Sequence, residues 1–117
     1  MVKGIDEITA LVFRYIENLK GRLRIEKVIL FGSYVEGRAN EHSDIDLAII
    51  SPDVNDHNLI ACLQLLTRAI PRHIDIEPLA FSTHEYDSAS PVELLGDIKR
   101  RGKVIYDNSL EAIDLNQ

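Results

Sequence analysis

The sequence predicts an α+β domain, a mixed β-sheet with helices packed against it, and three observations lead there. Apolar residues change period along the chain, from three-and-four spacing to two-residue alternation and back, in the order helix, strand, strand, helix, strand, helix, strand. About a dozen residues separate the first two strands, barely enough for the crossover helix that a parallel pair requires, so a mixed sheet is expected rather than an all-parallel one. The length of 117 residues suits one domain, and no internal repeat, low-complexity stretch or Gly/Ser linker divides it.

The elements follow in order. Ile5, Ile8, Val12, Tyr15, Ile16 and Leu19 form one apolar stripe, which predicts a helix from Ile5 to about Lys20, stopped by Gly21. Arg24–Phe31 is β-branched and aromatic and runs into Gly32-Ser33, a strand ending in a turn. A second strand, Asp44–Ile50, closes at Ser51-Pro52. Asn55 or Asp56 can cap the next helix, whose buried face carries Leu59, Cys62, Leu66 and Ile70, and Pro71 ends it. His73–Phe81 alternates at first, and Pro78 confines that strand to an edge or a bulge. Ser90-Pro91-Val92-Glu93 reads as N-cap, first-turn proline and capping-box glutamate of a helix lasting to about Arg101. Gly102 turns the chain into a short strand, Lys103–Tyr106; the domain is expected to span 1–107, with 108–117 a flexible tail.

Composition narrows the functional classes. Thirteen Lys and Arg against nineteen Asp and Glu leave a net charge of −6, the wrong sign for binding nucleic acid through its phosphates. No apolar run approaches the ~20 residues of a membrane span, and Met1–Gly4 does not open a signal peptide. The single cysteine, Cys62, cannot form an internal disulfide, so the expected setting is the cytoplasm.

The chemistry concentrates in Leu30-Phe31-Gly32-Ser33, ten intervening residues, then Asp44-Ile45-Asp46-Leu47. On a strand, Asp44 and Asp46 point to one face, about 6.5–7 Å apart along the chain, while Ile45 and Leu47 point to the core. Two adjacent carboxylates repel and resist desolvation, a conflict that a divalent cation resolves, and hard oxygen ligands suit Mg²⁺. Gly32 lets backbone approach a ligand closely, and the Ser33 hydroxyl with nearby N–H groups can hold a phosphate. Asp75, between Ile74 and Ile76, faces away from the core as a third carboxylate; Glu77 shares that face one pleat further along and is the weaker choice. Singly, a D-x-D pair or a Gly-Ser turn is an ordinary strand edge or turn; the conjunction is what points to a metal-assisted phosphate chemistry.

The stretch LFGSYVEGRANEHSDIDLAII, Leu30–Ile50, resembles the signature of the nucleotidyltransferase superfamily that includes DNA polymerase beta and kanamycin nucleotidyltransferase. It is most similar to the minimal nucleotidyltransferases, small prokaryotic chains often paired with a HEPN-domain partner. His73–Phe81 looks like the family strand bearing the third metal carboxylate, and Leu95–Tyr106 like its closing helix and strand. The resemblance implies the nucleotidyltransferase fold and transfer of AMP from ATP to a hydroxyl. Two Mg²⁺ ions would be held by Asp44, Asp46 and Asp75, with Asp75 helping to deprotonate the acceptor and Gly32 and Ser33 seating the triphosphate. It also implies an antitoxin role, the acceptor hydroxyl lying on a HEPN-type toxin. The chain lacks the second domain that walls the pocket in larger relatives, so another subunit, a partner or a second copy in a homodimer, is expected to supply it.

Other residues carry less. Arg38 in the motif loop could reach a phosphate, and Glu36 stands where many relatives carry a basic residue. Ser43 is placed to bond the loop backbone. The four histidines show no zinc spacing. Lys99, Arg100, Arg101 and Lys103 suit a helix C-terminus, or alternatively a docking patch for an acidic partner. Two rivals to the protein-modifying enzyme are a binding module that neutralises its partner without turnover, and a transferase acting on a small molecule.

Overall fold

A computed structural model describes residues 3–109. Helix α1 (Ile5–Leu19) leads to strand β1 (Lys27–Phe31), the one-turn helix α2 (Ser33–Glu36), strand β2 (Ile45–Ser51) and helix α3 (Leu59–Arg68). Strand β3 (Ile76–Ser82), helices α4 (Thr83–Ser88) and α5 (Leu94–Arg101), and strand β4 (Lys103–Asp107) complete it. The sheet order is β3-β2-β1-β4, antiparallel between β1 and both β2 and β4 and parallel between β2 and β3. This is the mixed sheet expected from the short link between the first two strands. Pro78 lies in an edge strand, in unbroken register opposite Leu47.

Strand alternation divides the core into two faces. On one, Val28, Leu30, Ile45, Leu47 and Ile49 pack under α1 and α3. The stripe of α1 is buried there at Ile8, Val12, Tyr15, Ile16 and Leu19, as its spacing requires. On the other, Ile29, Ala48 and Ile50 meet Leu95 and Ile98 of α5. This second cluster is smaller, so the sheet face that α5 covers is only partly roofed.

Helix α1 is also tied to α3 by hydrogen bonds. The Ile70 N–H turns to the Thr67 carbonyl, and the Leu66 carbonyl accepts instead from the buried Tyr15 hydroxyl at 2.6 Å. One turn along α1, Asn18 Nδ2 donates to the Ala69 carbonyl at 2.9 Å. Two α1 side chains therefore satisfy carbonyls that the end of α3 leaves over.

Several boundaries differ from expectation. β1 begins at Lys27 rather than Arg24, because the Arg24 guanidinium and backbone N–H are both taken by Asp53 at 2.7–2.9 Å. α3 begins after Asn58 rather than Asn55 or Asp56. Asn55 Oδ1 accepts from His57 N and Asn58 N, an Asx turn that competes with helix. β3 begins at Ile76 rather than His73, whose φ of 67° lies in the left-handed region and interrupts extended chain. Helix α4 was not expected; its capping box joins Ser82 and Glu85, a signal in the sequence. α5 starts after Glu93 instead of Ser90. There the Ser90–Pro91 segment folds against Gly96, where an added Cβ would stand 3.0 Å from Pro91 Cα and overlap the Ser90 carbonyl. The tail expected beyond Asp107 lies, from residue 110 onward, outside the described residues. Among the described residues no helix is long and apolar enough to cross a membrane.

Tyr15→Phe deletes only the hydroxyl and leaves the Leu66 carbonyl without that donor inside the core. Stability should fall by about 1–2 kcal/mol, seen calorimetrically as a loss of about 4 °C or more in Tm. An unchanged Tm would mean that the Tyr15 bond contributes nothing to holding α1 on α3.

Candidate active site

The end of β1 and the start of β2 lie side by side, with Phe31 opposite Asp46 in the ladder. Immediately after Phe31 the chain turns at Gly32, with φ 77° and ψ −149°. Left-handed φ already favours glycine there, and the surroundings demand it: an added Cβ would overlap Asp46 Oδ2 and sit 3.1 Å from its Cγ. Ser33 then opens α2, whose turn closes by Val35 N and Glu36 N donating to the Gly32 carbonyl at 3.1 and 3.0 Å. Gly32 and the second carboxylate of D-x-D are thus in direct contact, although thirteen residues intervene in the chain.

Asp46 is part-buried on β2 while its neighbours Ile45 and Leu47 are buried on the opposite face. Asp44 is exposed and precedes the strand. The parallel ladder matches Ile45 with Ile76 and Asp46 with Glu77, and Ile45 N donates to the Asp75 carbonyl at 2.8 Å. One step back along that register sets Asp44 beside Asp75. Asp75 is exposed and sits just ahead of β3 rather than within it. Glu77, also exposed, is the carboxylate opposite Asp46. The Asp46 carboxyl is pushed above the usual aspartate range, first by desolvation and then by the negative charges of Glu77 and Asp44. Sequence reasoning placed Glu77 one pleat beyond Asp75 as the weaker choice; the register sets Glu77 opposite Asp46.

Among the described residues no three His, Cys, Asp or Glu side chains are grouped to hold a metal ion by themselves. A Mg²⁺ ion asks for less, since it takes one or two carboxylates and completes its shell with substrate phosphates and water. Asp44 and Asp46 supply that donor chemistry. At a part-buried carboxylate resisting ionisation beside other carboxylates, a cation would relieve a standing electrostatic cost.

The remaining motif-loop residues are engaged elsewhere. Arg38 donates to Glu36 Oε2 at 2.7 Å. The Ser43 hydroxyl accepts from Asn40 N at 2.8 Å, the loop-bracing bond expected of it. Arg101 reaches from α5 to Glu36 Oε1. The Glu36 carboxyl is held below the usual range by its Arg38 hydrogen bond, with the charges of Arg38 and Arg101 adding to this against desolvation. Of the C-terminal basic cluster, Arg100 bonds Asp97 at 2.7 Å, and Lys99 caps the Tyr86 carbonyl at 2.7 Å with its ammonium 4.5 Å from the Tyr86 ring centroid. These three cations brace α5 within the domain, in keeping with the structural reading of that cluster.

Comparison with known proteins bears on the family and the fold. Residues 14–111 match the family model described as polymerase beta, nucleotidyltransferase. MJ0604 of Methanocaldococcus jannaschii, named as a candidate protein adenylyltransferase, is 45% identical over 49 residues, which cover 42% of this chain and 49% of that protein. The chain thus spans about half the length of this relative. Among solved structures, a candidate nucleotidyltransferase from Sulfolobus solfataricus superposes with a TM-score of 0.66 at 19% identity, over 93% of this chain and 94% of that one. A toxin–antitoxin structure with AMP-PNP superposes with a TM-score of 0.56 at 24% identity, over 88% of this chain and 76% of that one.

Because the Asp46 carboxyl titrates above its unfolded value, the native state keeps this proton longer than the unfolded chain does. Stability is therefore lost as pH rises from the ordinary aspartate range through the raised midpoint. Asp46→Asn removes that loss. The variant should melt higher than the parent at pH 7, by about 1–3 °C given the screening of a part-exposed group, and the gap should close near about pH 3. Carboxyl-carbon NMR offers a second check: Glu77→Gln should move the Asp46 midpoint down, and an unmoved midpoint would remove Glu77 from the site.

Proposed function

This chain belongs to the polymerase beta nucleotidyltransferase family, and from that premise we propose that it transfers AMP from ATP to a hydroxyl on a protein partner, as the antitoxin of a toxin–antitoxin pair whose toxin is of the HEPN type. The observation that carries the proposal is the contact between the Gly32 turn and Asp46, with Asp44 one pleat away on the same face. A phosphate seat and a cation-seeking carboxylate share one spot there. Support for a protein acceptor comes from the candidate adenylyltransferase relative, and support for the antitoxin setting from the fold neighbour solved as a toxin–antitoxin complex with AMP-PNP.

In this reading Asp44, Asp46 and Asp75 would hold Mg²⁺, two ions in all, which would neutralise charge at the phosphates and lower the pKa of the acceptor hydroxyl. Gly32 lets the backbone of the β1 turn close on Asp46 and face the phosphates, and the Ser33 hydroxyl donates to a phosphate oxygen. The acceptor oxygen attacks the α-phosphorus, forming the new O–P bond. The bond from that phosphorus to the bridging oxygen breaks, and pyrophosphate departs with the electron pair. The hydroxyl proton passes to Asp75, which is exposed at the edge of the sheet and accessible to an incoming acceptor. Arg38, held by Glu36, adds positive charge to the loop beside the triphosphate. The partner, or a second copy of this chain, roofs the part of the sheet face that α5 leaves open.

Purified chain, Mg²⁺, α-labelled ATP and a HEPN-type partner should give a labelled partner. Asp44→Ala and Asp46→Ala should each cut that labelling at least about 100-fold, and Asp75→Asn should cut it comparably. Undiminished labelling in the Asp44 and Asp46 variants would refute the site. Variants that no longer label the partner yet still neutralise it would instead establish the stoichiometric binding module. Asp75→Asn acting as wild type, while Glu77→Gln is inactive, would transfer the third role to Glu77.

A further inference from the structure

The seat for the triphosphate is held in place less firmly than the rest of the sheet. Helix α2 is one turn long and buries none of its residues completely, though Tyr34 and Val35 rest partly on the core. It lies between Gly32 and Gly37, both with left-handed φ, 77° and 75°. Beside it, between α2 and α5, is a cavity of about 190 Å³ lined by Phe31, Val35, Leu94 and Ile98. A glycine-bounded turn next to a void has room to shift.

Across that cavity runs an ion pair. Glu36, the last residue of α2, takes Arg38 from its own loop on one carboxylate oxygen and Arg101 from α5 on the other. Arg101 is itself set in place. Its NH1 lies 3.7 Å from Asp97 one turn earlier, and the next residue, Gly102, packs so closely on β1 that a Cβ would stand 3.1 Å from the Leu30 carbonyl. We propose that Glu36 is a positioning residue whose pair with Arg101 clamps the Gly32–Glu36 turn to α5 and so fixes the nucleotide seat. The nucleotide half of this rests on the function proposed above. An exposed pair of this kind adds little to global stability; its effect is local, on one turn that core packing does not hold. The contrary role is a lock: were Glu36 to keep Arg38 from the phosphates, neutralising it would tighten nucleotide binding.

Hydrogen exchange on the full, nucleotide-free chain reads the clamp directly. Amides of residues 33–38 should exchange about two- to fivefold faster in Glu36→Gln and in Arg101→Ala than in wild type. Arg100→Ala, which removes a cation bonded to Asp97 on its own helix, should leave them unchanged. In parallel, KM for Mg-ATP should rise by a similar factor in the first two variants, with kcat within about twofold of wild type. Unchanged exchange in both variants, or a lower KM in Glu36→Gln, overturns the proposal. A wild-type chain that shows the expected exchange pattern and yet binds no Mg-ATP overturns the function proposed above while supporting the clamp.

Discussion

The contact between Gly32 and Asp46 is the constraint from which the rest of the site follows. β1 must end where β2 presents a carboxylate, and the chain must turn there through a φ of 77° with no space for a Cβ. Only glycine meets both demands. The price of that closeness is electrostatic: Asp46 loses water on one side and faces Glu77 and Asp44 on the other, so its ionised form is disfavoured in the isolated chain. Positive charge brought to that spot would offset this cost.

The sheet's two faces divide the work. Under α1 and α3 the core is deep, and the Tyr15 and Asn18 bonds to the end of α3 lock those helices together. That face supplies the rigidity on which the opposite one depends. Under α5 the cluster is small and leaves Asp46 and Glu77 at its border. The acidic residues therefore stand on a well-supported sheet and still reach solvent. Glu77 on the edge strand β3, and Asp75 just ahead of it, are left exposed.

Likeness to solved structures at 19–24% identity establishes the fold and leaves the chemistry to the residues themselves. Those residues include an acidic side chain at position 36 in the motif loop. In the structure it is neither idle nor simply repulsive, because it gathers Arg38 and Arg101 and links the loop to α5. In the basic run Lys99–Arg101, Lys99 reaches the Tyr86 carbonyl, while Arg100 and Arg101 both pair with Asp97 on their own helix.

Local pattern alone determined the amphipathic α1, the turn at Gly32-Ser33, the facing of Asp44 and Asp46 away from the core, and the edge position of Pro78. Each depends on short-range period or on the intrinsic limits of glycine and proline, which are written in neighbouring residues. Helix α4 was equally legible through Ser82 and Glu85, had that capping box been weighed as the one at Ser90 was. Tertiary structure decided the rest. Pairing of β2 with β3 matched Asp46 to Glu77, and a left-handed His73 moved Asp75 ahead of the strand, because register is set by partners distant in sequence. The Glu36–Arg101 pair joins residues 65 apart, a separation over which no local pattern carries information.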